Sequence, residues 1–189
     1  MLIGEKVCLG PVLVGDAPVL FSWSNSLDLV RTNGLFRPTD EMQFNQWLSN
    51  LSKDPTRVVF TIRRQGNLQL LGWLQLFDIA QVSRSAEIGI LVGDPAERGH
   101  GFGQEAMSLA LAYCWRDLNL QRVSLSVIGD NPQAKHVYGK VGFEMEGVRR
   151  RASYSDGRFH DVTIMSVLRS DDPGASPPNP DAARAGIAV

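Results

Sequence analysis

Apolar residues along this chain follow a helical period in some segments and a two-residue period in others. After a strand at 6–14, Gly15-Asp16 is expected to end the strand and cap a helix, and the segment 16–33 has apolar residues at helical spacing that predict two short helices. A similar stripe predicts a helix from an N-cap at Thr39 to about Leu51. The apolar residues of these two stripes are Leu20, Trp23, Leu27, Val30, Phe44, Trp47, Leu48 and Leu51.

Short β-branched runs begin near residue 57 and change the period. The segments 57–63 and 70–77, separated by a Gln-Gly-Asn turn, predict a β-hairpin, and 86–92 predicts a third strand. After a glycine-rich loop, 102–118 carries the strongest helical pattern of the chain. The inner face predicted for this helix consists of Ala106, Leu109, Ala110, Tyr113, Cys114 and Leu118.

The last third of the sequence alternates between the two periods. It predicts a strand at 122–128, a helix from Asn131-Pro132 to about Val141, and strands at 143–149 and 162–168. A run of antiparallel strands followed by alternating elements is typical of an α/β domain with a mixed sheet. We expect one domain over 1–169, and a disordered tail over 170–189 because that segment is rich in Pro, Ala, Gly and Asp.

Composition places the chain among ordinary globular proteins and narrows its partners. Of its 189 residues 43% are hydrophobic and 21% charged, and the net charge of -1 gives no reason to expect nucleic acid or a membrane surface. No signal peptide or membrane-length apolar run is visible, so we expect a cytoplasmic protein. Cys8 and Cys114 are expected to be buried free thiols, and no His/Cys/Asp cluster has the spacing of a metal site.

A glycine-rich loop between the third strand and the strongest helix is the main candidate for anion binding. Its glycines allow backbone N–H groups to approach a ligand, the helix start adds unpaired donors, and Arg98 adds a charge. The dinucleotide fingerprint fails because Gln104 stands at its third glycine, and no Gly-Lys-Ser/Thr is present. The spacing that fits is Arg-x-x-Gly-x-Gly, over Arg98, Gly101 and Gly103. Taken alone, the loop is also compatible with a turn that binds nothing.

Three segments in order resemble the GNAT superfamily of acetyltransferases: the strand 86–92, the loop 98–103 and the segment 131–143. The resemblance implies an α/β GNAT fold, with helices flanking a mixed, mostly antiparallel central sheet that is splayed at the cofactor site. It also implies acetyl-CoA as co-substrate. The residues that it places around acetyl-CoA are Ile90, Leu91, Val92, Arg98, Gly99, His100, Gly101, Phe102, Gly103, Asn131, Ala134 and Tyr138.

Acetyl transfer to an amine requires a neutral amine and a proton for the leaving thiolate. By resemblance, the hydroxyl of Tyr138 lies near the sulfur, which makes it the candidate general acid; the alternative is a core aromatic. Glu87, on the third strand, is the candidate base acting through water, and an exposed residue or a salt bridge is the alternative. Asn131 can contact the cofactor, cap the helix that follows, or do both.

The acceptor end is expected to come from the first helices and the final hairpin. Trp23 and Asn25 resemble a Trp-x-Asn of some amino-sugar acetyltransferases, although core packing and a turn also explain them. Glu41 is an alternative anchor for a polyamine.

The segments 146–150 and 156–161 resemble the branch that holds ribosomal-protein N-terminal, spermidine and amino-sugar acetyltransferases. We therefore expect an enzyme that acetylates a small primary amine by direct attack. A protein N-terminus as acceptor, or a CoA-binding sensor without turnover, remain alternatives. Exposed strand edges would also allow a homodimer.

Overall fold

One eight-stranded sheet runs through the computed structural model, which describes residues 1–30 and 37–171. Its order is β1-β2-β3-β4-β5-β6-β8-β7, and all neighbours are antiparallel except the parallel pair β5–β6. The strands are β1 (Leu2–Ile3), β2 (Val7–Gly10), β3 (Val58–Arg64), β4 (Leu70–Ala80), β5 (Ser85–Val92), β6 (Arg122–Ile128), β7 (Glu144–Ser155) and β8 (Arg158–Leu168).

Helices cover the two faces of this sheet. They are α1 (Ala17–Ser24), α2 (Leu27–Val30), α3 (Glu41–Asn50), α4 (Phe102–Arg116) and α5 (Pro132–Lys140). The side chains of Ile90 and Val92 face the start of α4. Trp73 of β4 lies opposite Leu91, so it points to the other face, where its ring meets Trp47 of α3 at 5.3 Å. This alternation places α4 on one face and α3 on the other.

The core lies between α4 and the sheet. The predicted inner face of α4 is confirmed for Ala106, Ala110 and Cys114, which are fully buried. Leu109 and Tyr113 are only partly buried, because the buried face is centred nearer Met107. The other buried side chains of this helix are Phe102, Met107, Leu111 and Trp115.

Two caps differ from the sequence-based prediction. Asp40, not Thr39, caps α3: its carboxylate accepts from the Gln43 N–H at 2.8 Å, while the Thr39 N–H is taken by Asn25. Asp16 precedes α1, but its carboxylate turns back to accept from the Leu13 N–H at 2.7 Å. The Asp16 carboxylate therefore binds a backbone group three residues before it, and the Thr39 hydroxyl donates to the Arg37 carbonyl, so neither side chain caps its helix.

Element lengths differ at the two ends of the chain. The strand predicted over 6–14 corresponds to β2, which ends at Gly10 and is followed by a 3-10 turn (Val14–Asp16). The final hairpin is longer than predicted, since β7 extends to Ser155 and β8 starts at Arg158. Residues 31–33 of the predicted second helix and nearly all of the predicted tail lie outside the described residues.

Candidate functional site

A wedge opens between β5 and β6. The two strands pair only at three positions, from Ser85↔Arg122 to Glu87↔Ser124. Beyond that point β5 continues to Val92 alongside β4 alone, and β6 continues to Ile128 alongside β8. Within the described residues no strand pairs with 88–92 on the β6 side, so this edge of β5 can pair with an extended ligand, as an added strand would. This confirms the predicted splay of the sheet.

The glycine-rich loop lies over the end of β5. Gly101 is the N-cap of α4 with φ +84°, and the first intrahelical bond runs from the Glu105 N–H to the Gly101 carbonyl at 3.1 Å. The N–H groups of 102–104 precede that bond and point out of the helix start. A Cβ on Gly103 would lie 3.8 Å from the side chains of both Ile90 and Val92, so the loop sits at the mouth of the wedge. Such a helix start favours a phosphate.

Two aromatic contacts and an ion pair hold the loop in place. Arg64 of β3 pairs with Glu97 at 2.6 Å, and its guanidinium carbon lies 4.9 Å from the centre of the Phe102 ring. The exposed ring of His100 stacks on the ring of Phe102, with 5.8 Å between the two ring centres. Arg98 is exposed, and its guanidinium donates to the Val92 carbonyl at 3.3 Å. Positive charge thus stands at the mouth, as the sequence predicted.

Lys6 is a second cation at the loop, and sequence reasoning missed it. Its ammonium donates to the His100 carbonyl at 3.2 Å, across 94 residues of sequence. The Glu105 carboxylate fixes this arrangement by accepting three backbone N–H groups, from Glu5 at 2.6 Å, Lys6 at 2.8 Å and Val7 at 2.9 Å. Gly4 permits it, because a Cβ there would fall 2.7 Å from a Glu105 oxygen. Lys6 therefore has ammonium protons available for a bound phosphate.

Replacing Lys6 by Met is expected to raise roughly five-fold the KM for acetyl-CoA, the co-substrate that the resemblance implies, and to leave kcat unchanged, because one exposed charge contributes about 1 kcal/mol to binding. Lys53→Met removes an equally exposed lysine that lies between α3 and β3, and serves as the control. Steady-state kinetics at two salt concentrations would measure the effect, which should shrink at high salt. An unchanged KM would remove Lys6 from the cofactor site.

Tyr138 lies on α5, which follows β6 directly and so belongs to the opposite side of the wedge. Asn131 caps this helix, since its side-chain oxygen accepts from the Ala134 N–H at 3.0 Å. Ala134 and Tyr138 both pack against the core, and the Tyr138 ring lies 6.0 Å from that of Phe143. Burial raises the pKa of Tyr138 above its ordinary value. The hydroxyl therefore stays protonated at neutral pH and can act as a proton donor.

Glu87 stands where the two strands part. It is half-buried and lies between Phe77 of β4 and Ser124 of β6. In the described part of the chain no ion pair engages its carboxylate, so the salt-bridge alternative finds no support. A carboxylate at the apex of the wedge can accept a proton through water.

The three candidate acceptor residues lie at different places. The indole of Trp23 packs on Gly93 just beyond β5, where an added Cβ would fall 2.0 Å from a ring carbon. The amide of Asn25 bonds the Phe21 carbonyl at 3.2 Å and both backbone groups of Thr39, which favours a structural role.

Glu41, the third of these residues, is exposed at the start of α3. It lines a cavity of about 180 Å³ between α1 and α3, together with Phe21 and Phe44. The lining of this cavity contains no residue of the wedge. Glu41 therefore faces a different space from Trp23 and Glu87.

Other chemistries find little support in the described residues. Cys8 and Cys114 are fully buried, and burial raises the pKa of the Cys114 thiol to about 12, so neither is an available nucleophile. Within 1–30 and 37–171 no three His, Cys, Asp or Glu side chains group as metal ligands would. None of the helices described is both long and apolar enough to span a bilayer.

Comparison with known proteins agrees with this geometry. A family model described as an acetyltransferase (GNAT) domain matches residues 6–144. Spermidine N(1)-acetyltransferase of Vibrio cholerae is 37% identical over 101 residues, which are 53% of this chain and 58% of that protein. A putative ribosomal N-acetyltransferase of Bacillus subtilis, YdaF, is 31% identical over 102 residues, 54% of this chain and 55% of that protein.

A solved structure is similar over a longer range. The crystal structure of spermidine N-acetyltransferase from Vibrio cholerae in complex with CoA and spermine superposes with a TM-score of 0.83 at 26% identity. It covers 89% of this chain and 98% of that one. In the sequence alignments, by contrast, the chain spans little more than half the length of the two curated relatives above.

Proposed function

This chain belongs to the GNAT acetyltransferase family, and from that premise we propose that it transfers the acetyl group of acetyl-CoA to a primary amine. The observation that carries the proposal is the wedge between β5 and β6, with the phosphate-binding loop on one side and Tyr138 on the other. Acetyl-CoA would supply the activated thioester. The protein's own part is to hold it along the free edge of β5 and to move two protons.

Each proton movement has one candidate residue. The acceptor ammonium first releases one proton to solvent. The neutral amine nitrogen then forms a bond to the acetyl carbon and loses a second proton to Glu87 through water. The carbon–sulfur bond breaks, and the Tyr138 hydroxyl protonates the departing sulfur. The proton that Glu87 has taken returns to the tyrosinate through solvent, so the products are an acetylated amine and the free CoA thiol. No protein nucleophile is required, in keeping with the burial of both cysteines.

We propose a polyamine as the acceptor. Two of the comparisons are with spermidine acetyltransferases, and the half-buried carboxylate of Glu87 at the apex of the wedge suits a cationic amine. A protein N-terminus is the second candidate, favoured by the similarity to the putative ribosomal N-acetyltransferase.

Release of free thiol from acetyl-CoA, measured against a panel of amines, would test this function. The panel comprises spermidine, spermine, an aminoglycoside, a nucleotide-linked amino sugar, and peptides with N-terminal Ala or Ser. We expect turnover with the polyamines. Turnover with the peptides alone would identify a protein N-terminus as the acceptor. Tight CoA binding without turnover would indicate a sensor, and absence of CoA binding would contradict the proposal.

A further inference from the structure

Gln75 of β4 is a polar side chain on the face of the sheet that also carries Glu87. In the antiparallel pair β4–β5, Gln75 lies opposite Gly89 and Phe77 lies opposite Glu87. Paired residues share a face of the sheet, and so do residues two apart along one strand. These four positions, each half-buried, therefore form one patch beside the point where β5 parts from β6.

Arg57, which directly precedes β3, fixes the orientation of the Gln75 amide. Its guanidinium donates to the Gln75 Oε1 at 2.7 Å. A guanidinium carries donors only, so the amide oxygen must face it and the amide nitrogen must face away. Arg57 is itself paired with Asp54 at 3.6 Å, and its guanidinium carbon lies 5.7 Å from the centre of the Phe77 ring. The N–H donors of Gln75 are thus directed away from Arg57.

Gly89 leaves a small space beside this amide nitrogen. A Cβ built on Gly89 would lie 3.8 Å from the Gln75 Nε2 and 3.6 Å from a ring carbon of Phe77, which are ordinary contact distances. In the described part of the chain no protein atom accepts a hydrogen bond from Gln75 Nε2. No side-chain nitrogen or oxygen there is both buried and unpaired, so water can reach this nitrogen.

We propose that Gln75 holds the water through which Glu87 takes its proton, and that Gln75 is therefore a positioning residue. The proposal rests on the acetyl transfer proposed above. Residues 87 and 89 lie on one face of one strand, roughly 6.6 Å apart, which leaves room for one water between the Gln75 amide and the Glu87 carboxylate. The water accepts from Gln75 Nε2 and donates to Glu87, so its second lone pair is left for the amine.

A water held in this way carries the proton without being consumed. As the nitrogen–carbon bond forms, the amine proton passes to the water oxygen, and one of the water's own protons passes to the Glu87 carboxylate. The amide keeps its protons and its charge throughout. Because Arg57 orients the amide before the substrate arrives, the water is ordered in advance, which lowers the entropic cost of the step.

Two substitutions at Gly89 test the water directly. The methyl group of Gly89→Ala would fill the space at distances that require no shift of Phe77 or Gln75. We expect it to lower kcat roughly 10- to 100-fold. Gly89→Ser adds a hydroxyl that can accept from Gln75 and donate to Glu87, so we expect kcat within about five-fold of the native value. CoA binding, measured by calorimetry, should change less than about two-fold in both variants.

Two substitutions at Gln75 separate the water from the bond to Arg57. Gln75→Met removes the N–H donor, and Gln75→Glu keeps an oxygen for Arg57 but presents no N–H. We expect both to lower kcat roughly ten-fold or more, whereas a purely structural Gln75 would tolerate Glu. Gln46→Met, exposed on α3, is the matched control and should keep the native rate. Thermal unfolding checks that each variant is folded.

The rates are measured by thiol release, with the amine on which the native chain is fastest. Native kcat in Gly89→Ala, a rate of Gly89→Ser as low as that of Gly89→Ala, or native kcat in Gln75→Glu would each overturn the role of Gln75 and leave acetyl transfer intact. A native chain that binds CoA but releases no thiol with any amine would contradict acetyl transfer itself, and this inference with it.

Discussion

Replacing Tyr138 by Phe is expected to lower kcat by about 10²–10⁴-fold, the contribution typical of a positioned acid. The ring would keep its packing against Phe143, so KM for acetyl-CoA should change less than about two-fold. Tyr113→Phe is the matched control, because Tyr113 also packs its ring in the protein but lies on α4, against Phe60 of β3 at 5.2 Å. Thiol release and calorimetric binding of CoA would separate the two effects.

The pH profile tests the same assignment. Burial raises the pKa of Tyr138, so the folded enzyme keeps this proton up to and beyond the ordinary tyrosine value of about 10. The native rate should therefore show no loss of the acid below about pH 10. Glu87→Gln should also lower kcat, without weakening CoA binding, because the proposed role of Glu87 is to take a proton from the amine. If Tyr138→Phe retains native kcat, Tyr138 is a core aromatic and the acid lies elsewhere.

Replacing Arg63 by Met is expected to destabilise the fold by about 3–5 kcal/mol, the usual cost of leaving a buried charge without its partner. Arg63 on β3 is 8% exposed, and it pairs with Asp16, 6% exposed, at 2.6 Å. The second guanidinium nitrogen donates to the Leu68 carbonyl at 3.2 Å. Among residues 1–30 and 37–171, the Leu13 N–H is then the one remaining donor to the Asp16 carboxylate. Urea unfolding at pH 7 would give the difference in the free energy of unfolding.

Two further variants show whether the cost arises from the pair. Arg57→Met breaks a partly exposed pair with Asp54 at 3.6 Å and a hydrogen bond to Gln75 at 2.7 Å, and should cost about 1–2 kcal/mol, less than the buried pair. Adding Asp16→Asn to Arg63→Met should recover part of the loss, since the unpaired charge disappears. If Arg63→Met costs no more than Arg57→Met, the pair does not stabilise the fold.

The elements that a local pattern can predict were predicted well. Strand β6 matches its predicted limits of 122–128, and α5 begins at Pro132 after the Asn131 cap. Both depend on neighbours within a few residues, which a short window contains. The splay of the sheet was predicted only from the family resemblance, because the register between distant strands leaves no signal in a short window of sequence.

Features that depend on distant residues were missed. Lys6 reaches the loop only because Glu105 binds the backbone of 5–7, about a hundred residues earlier. The Asp16–Arg63 pair spans 47 residues, and it draws the Asp16 side chain away from α1. The cap of α3 moved by one residue because Asn25 occupies Thr39. In each position a tertiary partner competed with the local preference and prevailed.

The clamp between Glu105 and the backbone of 5–7 couples the start of the chain to the cofactor loop. Local unfolding of the segment 5–7 would release Lys6 and the first turn of α4 together, so a single opening equilibrium governs the order of both. By thermodynamic linkage, acetyl-CoA that binds preferentially to the closed loop also stabilises the segment 5–7 against local opening. Loss of that segment in turn weakens the binding of acetyl-CoA. During synthesis the two halves of the clamp emerge far apart in time, so the cofactor loop matures only when Glu105 meets a segment made about a hundred residues before.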